Sequence, residues 1–87
     1  MTEVLSAFSE TLFFSVGKRI VDSLVYYSEM YNSSIIYVTH EKLAKDIGTV
    51  REVVSRTLKR FQELNLIEIS RGQIKILDID KLKNTLI

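Results

Sequence analysis

Four residues within a span of six, Arg51, Glu52, Ser55 and Arg56, carry the side chains best suited to specific chemistry in this 87-residue chain. An arginine fork can donate two parallel hydrogen bonds to guanine O6 and N7. A glutamate can accept from cytosine N4, and a serine hydroxyl can serve either role. If the segment is a helix, Val54, Leu58 and Phe61, spaced four and three apart, turn inward. Arg51, Glu52, Ser55, Arg56 and Lys59 then share the opposite face. A carboxylate there would only repel phosphates, so Glu52 favours the reading of base edges over plain attraction to a polyanion. A blander reading stands beside this one. The same residues fit a solvated face with an i,i+4 Glu52–Arg56 pair. They also fit a capping box in which Thr49 caps and Glu52 turns back to the backbone.

The surrounding charge is uneven. Between Lys42 and Lys75 eight basic residues face four acidic ones, giving +4, whereas the rest of the chain carries four against seven, giving −3. A basic segment in a near-neutral chain suits a polyanionic partner; ordinary solvated lysines are the alternative. Thr39, Lys42, Thr49, Lys59 and Arg71 are the candidate contacts to phosphates, with Lys45 and Lys75 beside them. Such contacts position a protein without reading sequence.

Other chemistries find no support. Cysteine is absent and His40 is the only histidine, so no metal set can be assembled; His40, in the first turn of a helix, is expected to be exposed. No nucleophile–base pair and no glycine-rich phosphate loop is present, which argues against an enzyme and against a cofactor. There is no apolar run of about 18 residues, as a membrane span needs, and no export signal. A cytoplasmic location is expected. With 46% apolar and 26% charged residues, the chain can bury one small core.

These side chains must be held by the elements around them. Val4, Phe8 and Leu12 mark a helix over about Glu3–Phe14, Gly17 marks a bend, and Ile20, Leu24 and Tyr27 mark a second helix from Lys18 to Tyr31. Ile35–Val38 is β-branched and reads as a strand. Thr39 is a good N-cap for a helix Glu41–Ile47. Gly48 makes a turn, and the next helix runs from Val50 to Leu64, with Asn65 in the left-handed conformation after it. Leu66–Ile69 and Gln73–Leu77 form a hairpin in which Gly72 supplies positive φ. Asp78 caps a last helix, Asp80–Leu86. Ala44 and Gly48 meet the needs of a helix-turn-helix for a small crossing residue and a flexible turn. The fold class is mainly α with a small antiparallel β-sheet: a helix-turn-helix followed by a β-hairpin, the winged arrangement. The aromatic residues Phe8, Phe13, Phe14, Tyr26, Tyr27 and Tyr31 read as core and helix-packing surface, with some apolar surface on the first helix left for a dimer contact.

The run from Thr39 to Glu68, THEKLAKDIGTVREVVSRTLKRFQELNLIE, resembles the DNA-binding domain of the bacterial Crp/Fnr regulators. The family pattern is loosely T-x-x-x-L-A-x-x-I-G, R-E-x-V-S-R-x-L-K and L-x-x-x-G-L-I. The likeness continues through Gly72–Asp78 and back to Arg19–Leu24. It implies that Arg51, Glu52 and Arg56 contact base pairs, with Ser55 where several members use a serine. Members with these residues typically read palindromes with TGTGA-like or TTGAT-like halves. It also implies double-stranded DNA as partner, a homodimer in the full-length regulator, and RNA polymerase as a further partner. The chain departs from the pattern at three positions. Val50 replaces the usual Ser or Thr cap, so Thr49 is the expected cap. Val53 replaces a threonine that often bonds a phosphate, and Asn65 replaces a glycine. The family's sensor domain has no counterpart here, so the chain is expected to be a fragment of a longer regulator rather than a stand-alone reader. Residues 1–16 are then a linker and dimerisation remnant, and 17–87 the DNA-binding domain. Two rivals remain: a winged-helix module for protein contacts, and a reader of another family lacking the strand at Ile35–Val38.

Overall fold

Apolar residues at steps of three and four, Phe13, Val16, Ile20 and Leu24, are all buried and line one stripe of a single long helix, α1, Glu10–Tyr31. The structure, a computed structural model, describes residues 10–85, with side chains from Phe13 onward. The expected helix over Glu3–Phe14, with Val4 and Phe8, therefore lies mostly outside the described residues. The expected bend at Gly17 is corrected: α1 continues through it. A glycine in a helix costs about 1 kcal/mol relative to alanine. Each large apolar side chain buried around it contributes about 1.5–3 kcal/mol, so packing prevails over local preference. Asn32, at φ 52°, ends the helix in the left-handed region.

Strand β1 is only Ile35–Ile36, shorter than expected. Its partner is β3, with Ile35 opposite Lys75 and Ile36 opposite Ile74. Beyond Ile36 the chain leaves the sheet to start α2, His40–Ile47. Thr39 caps that helix as expected, its Oγ1 accepting from the Lys42 N–H at 3.0 Å. Leu43, Ala44 and Ile47 are buried. Gly48, at φ 77°, turns the chain, and its amide and that of Thr49 both donate to the Ala44 carbonyl at 2.9 Å. Helix α3, Arg51–Glu63, follows, with Val54, Thr57, Leu58 and Phe61 buried. Asn65 sits at φ 62°, and the amides of Asn65 and Leu66 return to Gln62 and Phe61. This is the left-handed helix end expected of an asparagine there.

The wing is β2, Ile67–Ser70, paired antiparallel with β3, Gln73–Ile76, through the two-residue turn Arg71–Gly72. Gly72 has φ 70°. The sheet order is β1-β3-β2, so the retained β1 excludes the rival defined by its loss. Asp78 caps α4, Ile79–Asn84, by accepting from the Lys81 N–H, and Leu82 is buried. Phe13, Leu24, Leu43, Val54, Leu58, Phe61 and Ile74 meet in one core beneath the paired helices. Phe14, Tyr26 and Tyr31 are exposed, so they are not core. Phe8 lies outside the described residues.

Candidate nucleic-acid interface

Helix α3 has two unlike faces. Its inner residues Val54, Leu58 and Phe61 are wholly inaccessible to solvent, and they fix the helix about its own axis. That rotation turns Arg51, Glu52, Arg56 and Lys59 outward, where all four are exposed. Arg71, at the wing tip, faces Arg51 across a groove of about 720 Å³ that Thr39, His40 and Glu41 also line. A second hollow brings Thr39, Lys42, Lys45 and Thr49 beside Arg51. Five of the nine residues singled out for contact, Thr39, Lys42, Thr49, Arg51 and Arg71, thus line these two adjoining hollows, and Glu52 and Arg56 follow Arg51 on α3's first turns. Lys59 is one turn further along the same helix. Ser55 is turned partly inward and half-buried.

The ion pair weighed above is present: Arg56 Nη2 donates to Glu52 Oε2 at 2.9 Å, with side-chain exposures of 58% and 72%. Exposed i,i+4 pairs of this kind are worth about 0.3–0.5 kcal/mol. A good two-pronged base contact gives about 1–3 kcal/mol of discrimination. The pair therefore orders the two side chains without keeping them from a base edge. The capping box does not form. Val50, not Thr49, precedes α3 and offers no side-chain hydrogen bond. The reason lies in Gly48 and Thr49: both amides are tied back to Ala44, so Thr49 is part of the turn and half-buried.

The Crp-like helix-turn-helix domain profile matches residues 18–85. The chain belongs to that family. Among solved structures, a Crp/Fnr-family regulator from Eubacterium rectale shares 34% identity over 80% of this chain and 32% of its own, at a TM-score of 0.77. A Crp/Fnr-family transcriptional regulator from Thermus thermophilus shares 26% identity, covering 80% of this chain and 39% of its own, at 0.73. The catabolite activator protein of the same organism, at 20% identity, shows the same fold over 98% of this chain and 41% of its own, at 0.79. A comparison with curated protein sequences gives no match. The chain therefore spans about a third to two-fifths of the length of the solved proteins it resembles. It is a DNA-binding domain of Crp/Fnr type, from a family of transcription regulators and not of enzymes. Among the described residues no helix is long and apolar enough to cross a membrane.

In this Crp-like domain two features escaped the reading of the sequence. The first is His40, expected to be exposed but in fact half-buried, with Nδ1 2.8 Å from Ser55 Oγ. Burial, and secondarily the nearby Arg51 guanidinium, holds its pKa below the ordinary imidazole value. Spacing along the chain gave no signal for it, because the approach of residue 40, which opens α2, to residue 55, on α3's second turn, is set by how the two helices cross. The second feature is a three-part cluster between α2 and α1. Lys42 Nζ donates to Asp46 Oδ1 at 2.7 Å, and the Tyr27 hydroxyl donates to Asp46 Oδ2 at 2.7 Å. Lys42 is thus already matched to a carboxylate. Arg19, from α1, donates to the Ile47 carbonyl at 2.8 Å and closes α2's C-terminal end.

Proposed function

We propose that α3 enters the DNA major groove, with Arg51, Glu52, Ser55 and Arg56 reading base edges. In this reading Thr39, Lys42, Thr49, Lys59 and Arg71 hold phosphates. One observation carries it: Arg51, Glu52 and Arg56 stand outward together and exposed on the helix whose start lies beside the wing, and the hairpin leaves them uncovered. In recognition helices the N-terminal turns meet the bases, and these are the turns that carry the three side chains. The intact regulator would act in the cytoplasm as a homodimer on half-sites about 34 Å apart, with RNA polymerase as a further partner. Residues 1–16 would belong to its linking helix; the unbroken course of α1 through Gly17 supports such continuity.

On its own the domain should bind DNA weakly, on the order of 10⁻⁴ to 10⁻⁶ M, with steep salt dependence. The test is selection of bound duplexes from a random library, followed by titration of the winning site with the Arg56→Ala variant. Arg56→Ala should lose about 1–3 kcal/mol on the selected site and little on random DNA. Equal and unchanged binding to both would sink the base-reading role.

A further inference from the structure

The Ser55 hydroxyl is already engaged within the domain. Its Oγ and His40 Nδ1 are 2.8 Å apart, and neither side chain makes another hydrogen bond among the described residues. Such a contact can run in two directions. If Nδ1 carried the proton, Ser55 would accept, and its own hydroxyl proton would need a second acceptor. A helical serine can find one in the carbonyl four residues back, as Thr57 does with Val53 at 2.8 Å. Ser55 does not do so among the described residues. If instead the ring proton is on Nε2, one bond satisfies both the serine proton and the ring acceptor.

We infer that His40 sets the direction of Ser55's hydrogen bond. The serine donates to Nδ1, so its oxygen presents only lone pairs to the groove. Ser55 then selects a base that shows an amino group there, adenine N6 or cytosine N4, over one that shows a carbonyl. His40 is a positioning residue, acting on DNA through Ser55. The inference rests on Ser55 reading a base, as proposed above.

The surroundings support a neutral ring. The charged groups around His40 are Glu41 on its own helix, Arg51 on α3 and Arg71 on the wing. Burial of the ring and then the Arg51 cation both disfavour protonation. Acid should reverse the arrangement. An imidazolium donates from both nitrogens, so Ser55 must then accept and turn its proton outward.

The test uses the 87-residue chain at low salt on its selected duplex. Ser55→Ala identifies the facing base pair as the one whose discrimination it flattens. At that position C·G and its inversion G·C are compared, a swap of amino and carbonyl without a thymine methyl. At pH 7.5 the wild type should favour the amino-bearing base on the facing strand by about tenfold, the worth of one well-made hydrogen bond. His40→Leu should reduce this below about threefold. His40→Asn, whose Oδ1 can accept in place of Nδ1, should keep it. As the pH is lowered until the ring protonates, followed by the NMR shift of its Cε1 proton, the wild type should lose or invert the preference, and His40→Asn should not move. Undiminished discrimination in His40→Leu, or a wild-type preference indifferent to pH, overturns the assignment. If His40→Leu fails to fold, the pH comparison of wild type with His40→Asn decides alone. A Ser55→Ala pattern identical to wild type at every base pair overturns Ser55's base reading and this inference with it. The Arg56→Ala result stands apart from all of these outcomes.

Discussion

Helices α2 and α3 form one motif, yet their surfaces are held in opposite ways. Helix α2 is tied to its surroundings at its start, its middle and its end. Thr39 caps its start, Asp46 answers Lys42 and takes the Tyr27 hydroxyl, and Arg19 closes its last carbonyl. Helix α3 is fastened mainly from below, by four buried side chains, with Ser55 held by His40 and Gln62 by the Ile69 amide at its flanks. Its start has no side-chain cap, Arg51 and Lys59 make no ion pair among the described residues, and the Glu52–Arg56 pair is exposed and weak. The contrast separates support from base reading: most of α2's polar side chains are tied within the fold, whereas the first turns of α3 keep Arg51 and the weakly paired Glu52 and Arg56 for an external partner.

The largest test of that contrast attacks α3 from its buried side. Phe61 is fully buried and meets Phe13 edge-on, with centroids 5.7 Å apart, while the Arg60 guanidinium lies 4.4 Å over the Phe13 ring. Phe61→Ala should cost about 3–5 kcal/mol. For a domain of this size that lowers the melting temperature by more than about 12 °C, followed by circular dichroism. A loss below about 1 kcal/mol would mean that α3 is not anchored by this stripe.

A smaller test compares the two helix starts directly. Thr39→Ala should destabilise the domain by about 1 kcal/mol. Val50→Ser should stabilise it by a similar amount, about 1 kcal/mol, because Val50 already has cap-like backbone angles of φ −100° and ψ 155° and is 62% exposed. Urea unfolding of both variants checks the pair. If Val50→Ser changed nothing, the absent cap would not be a gap in α3's local chemistry, and the contrast between the helices would lose one of its supports.

What could be read in advance divides along the same physical line. Caps and turns are local chemistry, so Thr39, Asp78, Asn65 and Gly72 declared themselves by residue type and neighbours. The outward set Arg51, Glu52 and Arg56 was legible because the buried period of Val54, Leu58 and Phe61 fixes the opposite face. The misreadings were tertiary. Gly17 looked like a break, but its flanking residues gain more from the core than the glycine costs. Strand β1 ended early because its partner β3 holds only two of its residues in register. Thr49 was spent on the turn and could not cap. The approach of His40 to Ser55 depends on how two helices cross, which spacing along the chain does not specify.

The smallest expected effect concerns the cluster that ties α2 to α1, and it can be read from pH alone. Hydrogen bonds first from Lys42 and then from Tyr27 hold the Asp46 carboxyl below its ordinary value of 3.8. The unfolded chain therefore takes up its proton first as pH falls. The contribution is fully present above pH 3.8 and disappears as pH drops through the depressed folded value. At the other limit the bond to Asp46 raises the Tyr27 pKa above 10.0. That contribution is complete below pH 10.0 and is lost only as pH rises through the raised value. Asp46→Asn should thus lower the plateau of stability between these limits, with its difference from wild type largest near neutrality and shrinking toward about pH 3. Unfolding free energies measured across that range decide it. A difference that stays constant down to about pH 3 would show that Asp46 acts there through packing, and that α2's surface is no more closed by charge than α3's.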